Sequence, residues 1–383
     1  MEKMTVYADN AATTKPSAAA AETMMRYLTE DYGNPAAVCS MGRKAGRAVL
    51  AAREQTAKAL GSRVDEVYFT SGGTESDNWA VKGAAELGAA QGKRHIITTA
   101  IEHHAVLRTC GYLEKHGFEV TYLMPDEYGR IAASQVEGAM RSDTCLVSVM
   151  AANNEVGTLE PVKEIAEVCR ERKVLFHTDA VQAAGHIPID FRELGADMLS
   201  VSGHKFHAPK GAGALLIRSG LILPNLMHGG SQQRGRRAGT ENVPAIAALG
   251  EALTEAVSDM SEVNERLFRL TEELAERLLR TEGAHRNGHS RERLPGTLNI
   301  SFDGVEGESL LLLLDMAGIC ASSGSACTSG STDPSHVLLA MGVPSVRAKG
   351  SLRLSFSRYS TPEEFEYIAQ AVPQVVERLK GMR

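Results

Sequence analysis

No stretch of this sequence approaches the ~20 consecutive apolar residues that a membrane-spanning helix requires, so no helical membrane span is expected. Its first residues, MEKMTVYADNAATT, lack the apolar core of a secretory leader. That argues against export and for the cytoplasm. Positive charge is not in excess: 41 Lys and Arg stand against 47 Asp and Glu, a formal net charge of −6. Nucleic-acid binding driven by bulk charge is disfavoured, and only a local basic patch stays open. The six cysteines (Cys39, Cys110, Cys145, Cys169, Cys320 and Cys327) form no C-x-x-C and are irregularly spaced. In a long chain without a leader they read as free thiols in a reducing compartment, most of them small buried hydrophobes. The glycine-rich phosphate motifs G-x-x-x-x-G-K-S/T and G-x-G-x-x-G are both missing.

What is present is ordinary globular composition: 383 residues, 43% hydrophobic, with 36 Gly. At ~150 residues per domain, two or three domains are expected. A chain of this length can bury a core without disulfide or metal staples. Short apolar runs alternate with helical patterns through the first two-thirds. VYFT (67–70), HIIT (95–98), CLVSVM (145–150), VLFHTD (174–179), MLSVS (198–202) and GALLI (213–217) read as strands. Helical segments fall around 75–90, 104–116 and 161–172, the last with Pro161 in its first turn. This alternation predicts an α/β fold with a mostly parallel sheet covered on both faces. After about residue 243 the pattern changes. Val263, Leu267, Leu270, Leu274 and Leu278 mark one long amphipathic helix, followed by strands at 297–302 and 351–356. A final helix opens with a capping box at Thr361-Pro362-Glu363-Glu364, and Pro373 is expected to bend it. The reading is a large domain over 16–258 and a smaller α+β domain formed by 1–15 and 259–383.

Three constellations carry chemistry. SGGTES (71–76) joins a strand to a helix; its backbone N–H groups and the hydroxyls of Ser71, Thr74 and Ser76 suit a phosphate, though taken alone the motif reads more readily as a plain strand-to-helix turn with Thr74 as N-cap. Asp179 ends an apolar strand, where a carboxylate needs a partner and where open α/β sheets bind ligands. It could hold a heteroaromatic nitrogen in its protonated form, or cap the next segment. Lys205, in SGHKFHAPKGAGAL (202–215), sits past another strand among small residues, a setting that suits a Schiff-base lysine as well as an ordinary loop lysine. His204 and His207 have i, i+3 spacing, but no ligand set accompanies them, and no metal is expected. Phosphate cradle, strand-end acid and lysine together form the minimal set for pyridoxal 5′-phosphate (PLP).

With these residues in view, the sequence resembles the cysteine desulfurases of the NifS/IscS branch, within the class V aminotransferase-like PLP enzymes. The likeness runs from YADNAATT (7–14) through YGNP (32–35), FTSGGTESDN (69–78), EHHAV (102–106), NNEVG (153–157), DAVQAAG (179–185), RAGTENV (237–243) and ASSGSACTSGS (321–331), nearly the whole chain. The resemblance implies a fold type I, aspartate aminotransferase-like architecture. It makes Lys205 the cofactor-bearing lysine, with Asp179 on the pyridine nitrogen, Gln182 on the ring hydroxyl oxygen and His103 stacked on the ring. Gly73, Thr74, Ser202 and His204 would hold the phosphate, and Thr240 would reach the phosphate of the second subunit of a homodimer. Asn154 and Arg353 would hold the substrate carboxylate, with Arg358 a weaker rival for Arg353. Cys327 would be the nucleophile that takes sulfur from L-cysteine as a persulfide, leaving L-alanine, and passes it to an iron–sulfur scaffold or another sulfur acceptor.

The chain departs from the family pattern in three places. Cys39 stands where relatives have His, Gly73 where Ala is common and Ala238 where Ser is common; none removes a catalytic atom. The chain also stops short of a longer C-terminal tail that some relatives use for docking. Rival expectations are a selenocysteine lyase, a C–S lyase, an aminotransferase, or a non-catalytic scaffold in a sulfur-transfer complex. The cysteine-bearing loop argues against transamination, which has no use for a second nucleophile.

Overall fold

The computed structural model describes residues 4–323 and 333–382. Its strands, numbered in chain order, are β1 (Val6–Tyr7), β2 (Val67–Thr70), β3 (His95–Thr99), β4 (Glu119–Leu123), β5 (Thr144–Ser148), β6 (Leu175–Asp179), β7 (Met198–Ser202), β8 (Gly213–Ile217), β9 (Ala284–Asn287), β10 (Thr297–Phe302), β11 (Ile319–Cys320) and β12 (Ser351–Ser355). Seven of them form one sheet in the order β2-β8-β7-β6-β5-β3-β4. The run from β7 through β6, β5 and β3 to β4 is parallel, and only β8 runs against its neighbours. Every residue of β3, β5, β7 and β8 is buried. Strands covered on both faces need near-continuous apolar sequence, which is why the central ones stand out as unbroken runs.

One face of the sheet is packed by alanine-rich helices. Ala45, Ala48 and Ala52 of Ser40–Ala59 and Ala245, Ala248 and Ala252 of Val243–Ser258 lie in one core. The approach is close: a Cβ on Gly250 would come within 2.8 Å of Ala52 Cα. Small side chains let two helix backbones near each other, and a larger residue there would force them apart.

A second core lies around the antiparallel sheet β12-β10-β9. Leu267, Leu270, Leu274 and Leu278 of helix Met260–Leu278 pack there with Phe365, Ile368, Val372 and Val376 of helix Pro362–Gly381. This last helix begins at the expected capping box and runs as one element past Pro373. Val6 and Ala8 join the same core, and β1 pairs in parallel with β11. Among the described residues no helix is long and apolar enough to cross a membrane.

Candidate active site

β2 ends at Thr70, and the chain turns into helix Gly73–Ala89 through Ser71 and Gly72. Gly72 has φ 154° and ψ −178°, a conformation essentially confined to glycine. Gly213 of β8 presses on it, and a Cβ at 213 would lie 2.6 Å from Gly72 Cα. The helix therefore presents its unpaired first-turn N–H groups past a bare backbone. Not all three hydroxyls of SGGTES are available to a phosphate. The Ser76 hydroxyl is buried against Thr70 Oγ1 at 2.8 Å and Gly72 O at 3.2 Å, so it sews the turn together instead of facing a ligand. Thr74 does face the cavity, as does Gly73; Ser71 does not.

That cavity, of about 330 Å³, gathers Gly73, Thr74, His103, Asn154, Asp179, Gln182, Ser202, His204, Lys205 and Arg353 on its wall, along with Ala11, Ala12 and Asp77. Asp179 is the last residue of β6 and Ser202 the last of β7, so the cavity sits at the carboxyl ends of the parallel strands. A larger groove of about 500 Å³, between helices Met260–Leu278 and Pro362–Gly381, is lined by exposed ion pairs such as Arg277–Glu366 and shows no comparable convergence.

Lys205 closes a short 3₁₀ turn after β7. Its Nζ donates to the carbonyls of Ala11 at 2.6 Å and Ala12 at 2.9 Å. Its own carbonyl accepts from half-buried His186 at 2.8 Å, which fixes the backbone that carries the amine. Gln182 Nε2 donates to the same Ala11 carbonyl at 3.0 Å. Asp179 accepts the Val181 N–H at 2.9 Å. Burial pushes its carboxyl up to about 6, while the Val181 N–H and Lys205 pull it back. Two further carboxyls are buried nearby. Asp77 is held well above the usual range by burial and by Asp179, and Glu102 is held there by burial first and by Asp179 among smaller causes. Behind Asp179, His177 is fully buried between the hydroxyls of Ser148 and Ser200, each at 2.9 Å, and burial keeps it neutral, with its pKa down at about 3.

His103 caps helix His104–Glu114, accepting the Ala105 N–H on Nδ1 at 3.1 Å. In the neutral ring this bond puts the proton on Nε2. Burial, with Lys205 beside it, lowers its pKa to about 4. His204 approaches Thr13 Oγ1 at 3.2 Å and is lowered to about 4 for the same reasons. His207 turns instead to Lys15 O, and among the described residues no group of three or more His, Cys, Asp or Glu could hold a metal ion.

Arg353 lies in the middle of β12 and is 2% exposed. Its guanidinium donates to Asn154 O at 2.9 Å and Asp9 Oδ1 at 2.8 Å, and its buried Nε has no hydrogen-bond partner among the described residues. Arg358 points elsewhere, to Glu255 O and Asp259, and is not part of the cavity wall. Thr240 is exposed and also off that wall. Cys327 lies outside the described residues. Cys39 is exposed at the start of helix Ser40–Ala59, away from the cavity, whereas burial pushes the Cys110, Cys145 and Cys169 thiols up to about 12, 11 and 12.

Sequence reasoning missed Asp77, His177 and His186. A signal existed for two of them: a histidine inside the apolar run VLFHTD, and an acid one turn past Thr74. For His186, which acts through its contact with a backbone carbonyl, none was available.

The residues present fit PLP. An amine, a strand-end carboxyl and a helix N-terminus answer to its aldehyde, ring nitrogen and phosphate. Among the described residues the buried Asp77 Oδ1 and Arg353 Nε have no hydrogen-bond partner, although Asp77 Oδ1 lies 3.6 Å from His177 Nε2. The phosphate end is tight as well, because a Cβ on Gly73 would stand 2.6 Å from Val181 Cγ2.

Residues 6–368 match the aminotransferase class-V family model, and the chain belongs to that family of PLP-dependent enzymes. Within it the chain falls among the cysteine desulfurases. It is 51% identical over 381 residues to the cysteine desulfurase IscS of Methanosarcina thermophila, covering 100% of this chain and 94% of the relative. A cysteine desulfurase IscS of Clostridium botulinum is 48% identical over 98% of this chain and 96% of its own length. A solved NifS-like protein superposes with a TM-score of 0.92 at 40% identity, covering 98% of this chain and all of the other. SspA, solved in complex with cysteine, gives a TM-score of 0.81 at 37% identity over 93% of this chain and all of the other.

Proposed function

We propose that this enzyme moves sulfur from L-cysteine to Cys327, releases L-alanine, and hands the persulfide to an acceptor protein of iron–sulfur cluster or thio-cofactor assembly. The observation that carries this reading is the convergence of Lys205, Asp179 and Arg353, distant in sequence, on one cavity. Bound PLP supplies an electron sink that loosens bonds at the substrate α-carbon and weakens its C–S bond. Lys205 would tether the cofactor and, once released, take the proton at the α-carbon. Asp179 would pair with the ring nitrogen and Gln182 with the ring hydroxyl oxygen. Gly73, Thr74, Ser202 and His204 would hold the phosphate, joined by Thr240 of a second copy in a homodimer. His103, neutral at pH 7, would cover the ring and assist proton movement through Nε2. Arg353 and Asn154 orient the substrate carboxylate, since a guanidinium matches a carboxylate bidentately.

The sulfur step balances without an outside oxidant. The substrate C–S bond breaks and an S–S bond to the Cys327 thiolate forms. The sulfur is oxidised to the sulfane level, and the carbon is reduced and takes up protons, so cysteine plus thiol gives alanine plus persulfide. Two domains, 16–258 and 1–15 with 259–383, are supported by the separate apolar clusters around the large sheet and around β12-β10-β9, with a small cluster of Ile101, Val156, Val337 and Leu338 bridging them. A cytoplasmic setting suits an enzyme whose Cys327 thiol must be regenerated in its reduced form before each turnover.

Mass spectrometry of the PLP-loaded protein after L-cysteine tests the reading. One sulfur atom gained on Cys327, with an equal amount of alanine and no gain in Cys327→Ser, is expected. Pyruvate and ammonia, or amino transfer to a keto acid, would overturn it.

A further inference from the structure

Glu155 is a buried carboxyl that the mechanism above does not use. Burying an acid is costly unless its oxygens are bound, so its partners carry information. It follows Asn154 in the turn 153–157, and its own N–H is held by Asn153 Oδ1 at 2.8 Å. Its backbone carbonyl accepts from Asn299 of β10 at 3.0 Å. Its side chain accepts the hydroxyl proton of Ser335 and lies 3.9 Å from His336 Nδ1. Burial raises it to about 7, against the pull of Ser335 and of Arg353.

Ser335 is the N-cap of helix His336–Ala340, accepting the Leu338 N–H at 3.2 Å. The helix is pinned further. His336 Nε2 donates to Glu102 O at 3.1 Å, its ring stacks on His104 at 4.8 Å, and Val337 and Leu338 pack with Ile101 and Val156. Ser335 and His336 lie on the downstream side of the stretch bearing Cys327. On the upstream side Ser322 exchanges two backbone hydrogen bonds with Arg353, at 2.7 and 3.2 Å. Arg353 in turn donates to the carbonyl of Asn154. Both flanks of the Cys327 stretch are thus fastened to the unit read as the carboxylate holder, one through the backbone of Arg353 and the other through the neighbour of Asn154.

We propose that Glu155 and Ser335 form a latch that ties the Cys327 stretch to the substrate-holding unit, and that both are positioning residues for sulfur transfer. The inference rests on the functional reading above. Transfer between two sulfur atoms demands that they be held in register, and a displacement of about 1 Å can cost 10²-fold in rate. The latch needs an acceptor at 155 and a hydroxyl at 335; it does not need a charge.

The test uses the full chain and three variants. In Ser335→Ala, hydrogen exchange at the Val337–Ala340 amides is expected to quicken about tenfold, with or without PLP. Rapid-quench mass spectrometry should show Cys327 persulfide forming about tenfold more slowly. The visible spectrum of the loaded protein and the rate of its first change on mixing with cysteine should match wild type. Glu155→Gln, which keeps an acceptor, should retain at least half the wild-type transfer rate, and Glu155→Ala should resemble Ser335→Ala. Unchanged exchange or unchanged transfer in Ser335→Ala overturns the latch. So does equal loss in the spectral step, which marks general damage, or a Glu155→Gln as slow as Glu155→Ala. If the wild-type chain puts no sulfur on Cys327, the functional reading fails instead, and the latch with it.

Discussion

The two ends of the cavity are built differently. At the cofactor end the groups come from short contiguous motifs at strand ends on one side of the large sheet: Gly73 and Thr74 after β2, Asp179 at the end of β6, and Ser202 to Lys205 at and just after the end of β7. Backbone geometry places them: β6 and β7 are neighbours, and β2 reaches the site across β8. At the substrate end, Arg353 reaches Asp9 and Asn154 from β12, and each of the three lies in a different stretch of chain. Side chains crossing between cores hold that end together. The lesson is that the first end should fail all at once when its chemistry is removed, whereas the second can be weakened without disturbing the first.

The largest effect tests the cofactor end. Lys205→Ala is expected to reduce alanine formation by three orders of magnitude or more, ~4 kcal/mol of barrier, and to remove the covalently held chromophore seen on borohydride reduction. Arg353→Ala comes next. It should raise KM for L-cysteine by about 10²-fold, as befits loss of charge-assisted hydrogen bonds, while the absorbance of the loaded protein is kept. Simultaneous loss of the chromophore would show that the two ends are not separable.

A smaller effect sharpens the account of the phosphate cradle. Gly73→Ala should weaken PLP affinity about tenfold, because its Cβ meets Val181 Cγ2. Val181→Ala in the same chain should restore most of it, a coupling that equilibrium dialysis of the four proteins of the cycle would read. The smallest effect lies under the substrate end, at Glu160, which accepts the Ile131 N–H beside the bridge Ala152–Leu159. Burial pushes its carboxyl up to about 8. The native state keeps a proton that the unfolded chain has already released, so this residue's contribution to stability falls as pH rises from about 4.5 to about 8. Glu160→Gln should therefore gain on wild type across that window, by about 1 kcal/mol in urea unfolding at pH 8, and lose the advantage below pH 4.5.

The same contrast explains what could be read from the sequence. β5, β7 and β8 are buried on both faces and announce themselves as apolar runs. β4 and β9 did not, because β4 is an edge strand that is mostly half-exposed and β9 is the four residues Ala-His-Arg-Asn. The two-residue strands β1 and β11 are too short for any period to show. Helices Ala18–Thr29 and Ser40–Ala59 went unremarked for another reason: the first fully buries only Ala20, and the inner face of the second is largely alanine and glycine, which give little hydrophobic contrast. In the site, motif residues were legible because their chemistry is local. The Asp9–Arg353 pair and the Glu155–Ser335 contact join residues far apart in the chain, and no spacing rule connects them.

The pairing of β1 with β11 has a consequence for biosynthesis. The carbonyls of Ala11 and Ala12 that receive Lys205 belong to a segment held on two sides: Thr14 and Ser17 bond the backbone of His204 and His207, while Val6 and Asn10 bond that of Gly318 and Ser355. The second set of partners is made more than a hundred residues after the lysine. A nascent chain stalled before Arg353 therefore lacks both these late anchors and one wall of the pocket.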